Sequence, residues 1–132
     1  MKSILVIDDT EDLRSLIVTI LSSSGFNVRE ADSGQTGVQM INEEQPDLVV
    51  CDVHMPGMDG YETLAAVRQS STRGNTPFIM MTGLVSRDGF RRGQVLGEEN
   101  YLVKPFSMEQ LVSTVMMRLG QTAHEPELAT RN

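Results

Sequence analysis

Short apolar runs and helical stripes alternate along the chain. Residues 4–7 (ILVI), 48–51 (LVVC), 78–81 (FIMM) and 101–103 (YLV) are rich in β-forming side chains and too short for helices. The first three are continuous rather than alternating, which suits strands buried on both faces of a parallel sheet. Residues 26–29 alternate, which predicts an edge strand with one wetter face. Between these runs, Leu13, Leu16, Ile17, Ile20 and Leu21 share one helical face, and Gly25 stops it. Val38 and Ile41 mark a second helix opened by Ser33. Leu64 and Val67 mark a third, with Asp59 and Glu62 at capping-box spacing. Met108, Leu111, Val112, Val115, Met116 and Leu119 form the most complete stripe. Ser107 and Gln110 cap its start, and Gly120 follows its end. Residues 86–96 are the weakest helical segment. Gly89 and Gly93 each cost about 1 kcal/mol relative to alanine inside a helix.

The pattern is therefore β-α repeated five times. It predicts an α/β three-layer sandwich: a parallel sheet wrapped by helices on both faces, joined by right-handed crossovers. Five strands suit the flavodoxin-like (βα)5 arrangement, with strand order 2-1-3-4-5. A chain of 132 residues holds one domain at about 100–150 residues per domain. We read residues 1–120 as that domain. Residues 121–132 are polar, carry Pro126 and lack periodicity, so they read as a frayed tail or the start of a linker.

Composition narrows the function classes. A net charge of −7 argues against direct nucleic-acid binding, which wants a basic face. The single cysteine, Cys51, rules out an intramolecular disulfide and a cysteine-built zinc site, and suits a reducing compartment. It sits in an apolar run and reads as a small buried hydrophobe. The first apolar run is too short for a signal peptide, and no run reaches transmembrane length. A cytoplasmic location without membrane contact is expected.

In such a sheet, ligands bind outside the carboxyl ends of the strands. Strand 1 ends in Asp8-Asp9, strand 3 in Asp52, strand 4 in Thr82 and strand 5 in Lys104-Pro105. Neighbouring strands lie about 4.8 Å apart, so Asp8, Asp9 and Asp52 should converge. Carboxylates that close need a cation, or some must stay protonated. Mg²⁺ is the usual hard cation where phosphate shares the site. A simpler role for Asp9 is to cap the first helix. Lys104 could snorkel to solvent, but pairing with the acids is the better reading. Thr82 alone could be a turn cap. An aspartyl nucleophile toward phosphorus needs a metal, a cation and a hydroxyl around it, and Asp52 has candidates for all three.

The stretches ILVIDD (residues 4–9), DLVVCDVHMPGMDG (47–60), FIMMT (78–82) and YLVKPF (101–106) resemble the receiver domain of two-component response regulators. The resemblance spans residues 2–119, nearly the whole chain. It implies a signalling phosphoacceptor rather than an enzyme. Asp52 would be the phosphoacceptor, served by a histidine kinase or histidine phosphotransfer protein. Asp8, Asp9, Asp52 and the backbone carbonyl of His54 would hold Mg²⁺. Lys104 would bind the phosphoryl group, with a cis peptide bond before Pro105. Thr82 and Tyr101 would form the switch pair. Residues 86–119 would carry the output surface toward a protein target or a tethered output domain.

Some positions depart from the family pattern. Gly97-Glu98 stands where most relatives have Gly-Ala, and Arg87, Arg91 and Arg92 crowd the weak helical segment. His54 reads equally as an exposed loop residue. Two other chemistries fit less well. A haloacid-dehalogenase-type phosphatase would want an aspartate two residues after the nucleophile, where this chain has His54. A flavin binder would want a Ser/Thr/Gly-rich loop after strand 1, but residues 8–12 read DDTED.

Overall fold

The continuous apolar runs become the inner strands of one sheet. The computed structural model describes residues 1–70, 74–83 and 100–120. In chain order the elements are β1 (Ser3–Ile7), α1 (Glu11–Ser23), β2 (Asn27–Ala31), α2 (Gly34–Glu43), β3 (Leu48–Asp52), α3 (Gly60–Arg68), β4 (Phe78–Thr82), β5 (Tyr101–Val103) and α4 (Met108–Arg118). The sheet is five-stranded in the order β2-β1-β3-β4-β5, and every pairing is parallel. This is the expected topology. The expected helix over residues 86–96 and the tail 121–132 lie outside the described residues.

Because side chains alternate across a strand, each inner strand feeds two cores. Leu5, Ile7, Val49, Cys51, Phe78 and Met80 face Ile41, Leu64 and Val67, from α2 and α3. Ile4, Val6, Leu48, Val50, Ile79 and Met81 face Ile17, Leu21, Leu111 and Val115, from α1 and α4. Every residue of β3 is buried, as expected for a strand covered on both faces. The alternating strand lies at the sheet edge as predicted, but begins one residue later. Phe26 precedes β2 and packs into the core. Met80 and Met81 are fully buried, whereas Met117 is exposed and fills no core.

The helix ends follow their local signals. Ser33 caps α2 by accepting the Thr36 N–H. Asp59 with Glu62, and Ser107 with Gln110, form complete capping boxes on α3 and α4. Gly25, at φ +98°, lets the chain turn after α1. The N–H groups of Gly25 and Phe26 then close onto the carbonyls of Ser22 and Leu21, a Schellman motif.

Strand register positions the site. Ile7 pairs with Cys51, so Asp8 comes level with Asp52. Asp52 in turn pairs with Met81, and Thr82 with Val103. Gly60 holds the loop after β3 close to its strand: its N–H donates to the Val53 carbonyl at 2.9 Å. A Cβ there would stand 2.5 Å from the Asp52 carbonyl oxygen and 2.9 Å from the Val53 Cα.

Candidate functional site

Asp8 leaves the end of β1 with no exposed surface. Its N–H donates to the Ala31 carbonyl at 3.1 Å, and its Oδ1 accepts the Thr10 N–H at 2.8 Å. Its carbonyl oxygen accepts from Arg14 Nη1 at 2.8 Å. Among the described residues, Asp8 Oδ2 is the one buried side-chain polar atom without a hydrogen-bond partner. Burial holds Asp8 above the ordinary carboxylate range. Asp52 and Asp9 push the same way, while the Thr10 N–H and Lys104 oppose them.

Asp9 is exposed and does not cap α1. The N-cap residue is Thr10, whose own side chain makes no capping bond. Asp52 ends β3 almost fully buried, with 3% of its surface exposed. Lys104 reaches it from the end of β5, Nζ to Oδ1 at 3.1 Å. The Lys104 N–H donates to the Thr82 carbonyl at 2.7 Å, which ties the lysine backbone to β4. The Lys104–Pro105 peptide bond is cis.

Asp8, Asp9 and Asp52 each offer a carboxylate oxygen, and the three oxygens lie within 4.8 Å of one another. An all-oxygen set of this kind suits a hard divalent cation. The partnerless, buried Asp8 Oδ2 is the oxygen such an ion would satisfy. The donor set therefore fits Mg²⁺.

The remaining sequence candidates sit around this cluster. His54 is exposed on the loop two residues past Asp52, and Thr82 is half-buried at the end of β4. Tyr101 starts β5 beside Met80, two positions before the level of Thr82. It is half-buried against the α2/α3 core. Its hydroxyl lies 2.5 Å from that of Tyr61 on α3, with the two rings tilted and their centroids 6.5 Å apart. Cys51 is buried in the same core, and burial pushes its thiol far up, which suits a hydrophobe rather than a nucleophile.

Three contributors escape the sequence pattern. Arg14 and Glu30 brace Asp8 from α1 and β2. Tyr61 meets the candidate switch aromatic, and the one signal for it is that the chain has just two tyrosines.

Comparison with known proteins agrees with this geometry. The model of the response regulator receiver domain matches residues 4–116. Protein PilG of Pseudomonas aeruginosa is 34% identical over 115 residues, covering 85% of this chain and 83% of PilG. A probable transcriptional regulator, ycf27 of Guillardia theta, is 33% identical over 132 residues, covering 98% of this chain. The chain spans about half the length of that regulator, 51%. The structure of the Vibrio cholerae chemotaxis protein CheY4 superposes with a TM-score of 0.81 at 32% identity, covering 89% of this chain and 98% of that one. With its sheet order, its acid cluster and these relatives in agreement, the chain belongs to the response regulator receiver domain family, the CheY-like domains of two-component signalling.

Proposed function

We propose that this domain accepts a phosphoryl group on Asp52 from a histidine kinase or histidine phosphotransfer protein and passes the change to a protein target. The observation that carries the reading is the convergence on one buried carboxylate. Asp52 has Lys104 at 3.1 Å and two further acids within 4.8 Å. Asp8, Asp9, Asp52 and the His54 backbone carbonyl would hold Mg²⁺. When bound, Mg²⁺ would screen the crowded carboxylates and the incoming phosphoryl oxygens.

An Asp52 carboxylate oxygen attacks phosphorus as the bond from phosphorus to the donor imidazole nitrogen breaks. The electron pair of that bond stays on the nitrogen. Lys104 neutralises phosphoryl oxygen charge, and the Thr82 hydroxyl donates to a phosphoryl oxygen. The product carries about −1.5 to −2 charges where a carboxylate carried one. That change draws Thr82 toward the site and turns Tyr101 inward, altering the surface over residues 86–119. The domain is a cytoplasmic signalling acceptor that assists its own phosphorylation and dephosphorylation, with no nucleic-acid or membrane contact of its own.

A second reading has a specific support. Some relatives, such as the ycf27 regulator, are about twice as long as this chain. The domain would then be the N-terminal receiver of a longer regulator with a DNA-binding or enzymatic output domain. Residues 121–132 would begin the linker, with 1–120 as the receiver.

The test is incubation with acetyl phosphate and Mg²⁺, read by intact mass. Wild type should gain one acid-labile phosphoryl group, a chelator should prevent the gain, and Asp52→Asn should abolish it. A label that survives Asp52→Asn contradicts the reading.

A further inference from the structure

The guanidinium of Arg14 makes two bonds at once. Nη1 donates to the Asp8 carbonyl oxygen at 2.8 Å, and Nε donates to Glu30 Oε1 at 2.8 Å. Arg14 lies on α1 one turn after Thr10, and its own N–H closes onto the Thr10 carbonyl at 2.9 Å. Thr10 is the residue whose N–H holds Asp8 Oδ1. Glu30 lies on β2 next to Ala31, the residue whose carbonyl takes the Asp8 N–H. Asp8 is thus bonded through its N–H, its carbonyl and one carboxylate oxygen to two elements, α1 and β2. The Arg14–Glu30 pair joins those two elements to each other. The Arg14 side chain is 15% exposed and that of Glu30 47%, so the bridge is covered at its Asp8 end and open to solvent at its Glu30 end.

We propose that Arg14 is a positioning residue for divalent-cation binding: by bridging the Asp8 carbonyl to Glu30, it fixes the direction in which Asp8 presents its one unbonded oxygen. The inference rests on the Mg²⁺ reading of the acid cluster given above. Groups that orient a metal ligand from behind commonly change affinity 10- to 100-fold when removed. Simple electrostatics predicts the opposite sign. Arg14 is a cation bonded to the backbone of one of the three acids, so it repels an incoming cation, and on charge alone its removal should tighten Mg²⁺ binding. The direction of the effect therefore separates positioning from charge. Lysine keeps the charge but lacks the planar fork that reaches both acceptors.

The experiment is a calorimetric Mg²⁺ titration at neutral pH of the whole chain. It covers wild type, Asp8→Asn, Arg14→Ala and Arg14→Lys, each checked for folding by circular dichroism. Arg14→Ala should weaken binding roughly 10-fold or more, and Arg14→Lys should weaken it as well despite the retained charge. Unchanged or tighter binding in the folded Arg14 variants overturns the inference while leaving the metal reading intact. If Arg14→Ala fails to fold, Arg14→Lys decides by the same criterion. If wild type does not bind Mg²⁺, or Asp8→Asn binds as wild type does, the metal reading itself falls and this inference falls with it.

Discussion

At the end of β1, Asp8 is fully buried and held through its N–H, its carbonyl and one carboxylate oxygen. At β5, Tyr101 is half-buried and meets Tyr61 hydroxyl to hydroxyl, and Val103 on the same strand is 48% exposed. Both regions border one edge of one sheet. The β1–β3 side has a stiff frame and crowded like charge, so its geometry is set before any ligand arrives. The β4–β5 side ends in a three-residue outer strand, and the proposed switch requires that its Tyr61–Tyr101 contact can be exchanged. An acceptor needs the first kind of construction. A switch needs the second, because its two states must lie within a few kcal/mol of each other.

Gly60→Ala should break the stiff side most severely. Its Cβ would meet the backbone of Asp52 and Val53 rather than a movable side chain, so a loss of about 3 kcal/mol is expected, at the upper end for overpacking. Urea unfolding measures it, and a neutral substitution would show that the acceptor loop yields easily. Lys104→Met should come next. It removes the Nζ contact and leaves the buried Asp52 carboxylate without that partner, at about 2 kcal/mol in the metal-free protein. Added Mg²⁺ should restore much of the loss. Equal destabilisation with and without Mg²⁺ would separate the lysine from the acid cluster.

Asp8→Asn sharpens the comparison from the opposite direction. Burial raises the Asp8 pKa above its reference value of 3.8. The stability tied to this group is therefore complete below that reference value and is lost as pH rises through the folded-state value. Asparagine cannot ionise, so the metal-free variant should melt higher than wild type at neutral pH. The advantage should vanish in acid, and thermal melts at the two pH values check it. A variant that melts lower at neutral pH would make Asp8 a structural cap instead.

Tyr61→Phe should be the mildest change, about 1 kcal/mol or less for one partly buried hydroxyl pair. Its effect should fall on the readiness of Tyr101 to turn rather than on acceptor chemistry. The rate of labelling by acetyl phosphate should match wild type, and a large fall in that rate would tie Tyr61 to the acceptor instead.

Much of this was legible in the chain. Residues 4–7, 48–51 and 78–81 carry unbroken apolar runs because both faces of their strands are covered, and that one fact places them centrally. The chemistry at the carboxyl ends follows from order and register: Asp8 and Asp52 come level after β1 and at the end of β3, and Lys104, just past β5, reaches back across β4 to Asp52. The supporting contacts were not legible. Arg14 and Glu30 are 16 residues apart, and Tyr61 and Tyr101 are 40 apart. No periodicity links such pairs, since their meeting depends on where whole elements pack. Gly60 also hid its role. It reads as the first residue after a capping aspartate, while its lack of a side chain matters through the strand it touches.

The most direct test uses the chain's two tyrosines, Tyr61 and Tyr101, as reporters. In tyrosine-labelled protein with Mg²⁺, beryllofluoride mimics the phosphoryl group, and ring resonances are followed by NMR. The account predicts that both rings shift in wild type and that neither shifts in Asp52→Asn. The amides of β1, a buried strand paired on both sides, should exchange slowly with and without beryllofluoride. Ring signals that ignore beryllofluoride, or that respond equally in Asp52→Asn, would contradict the claim that charge at Asp52 is read out through Tyr101.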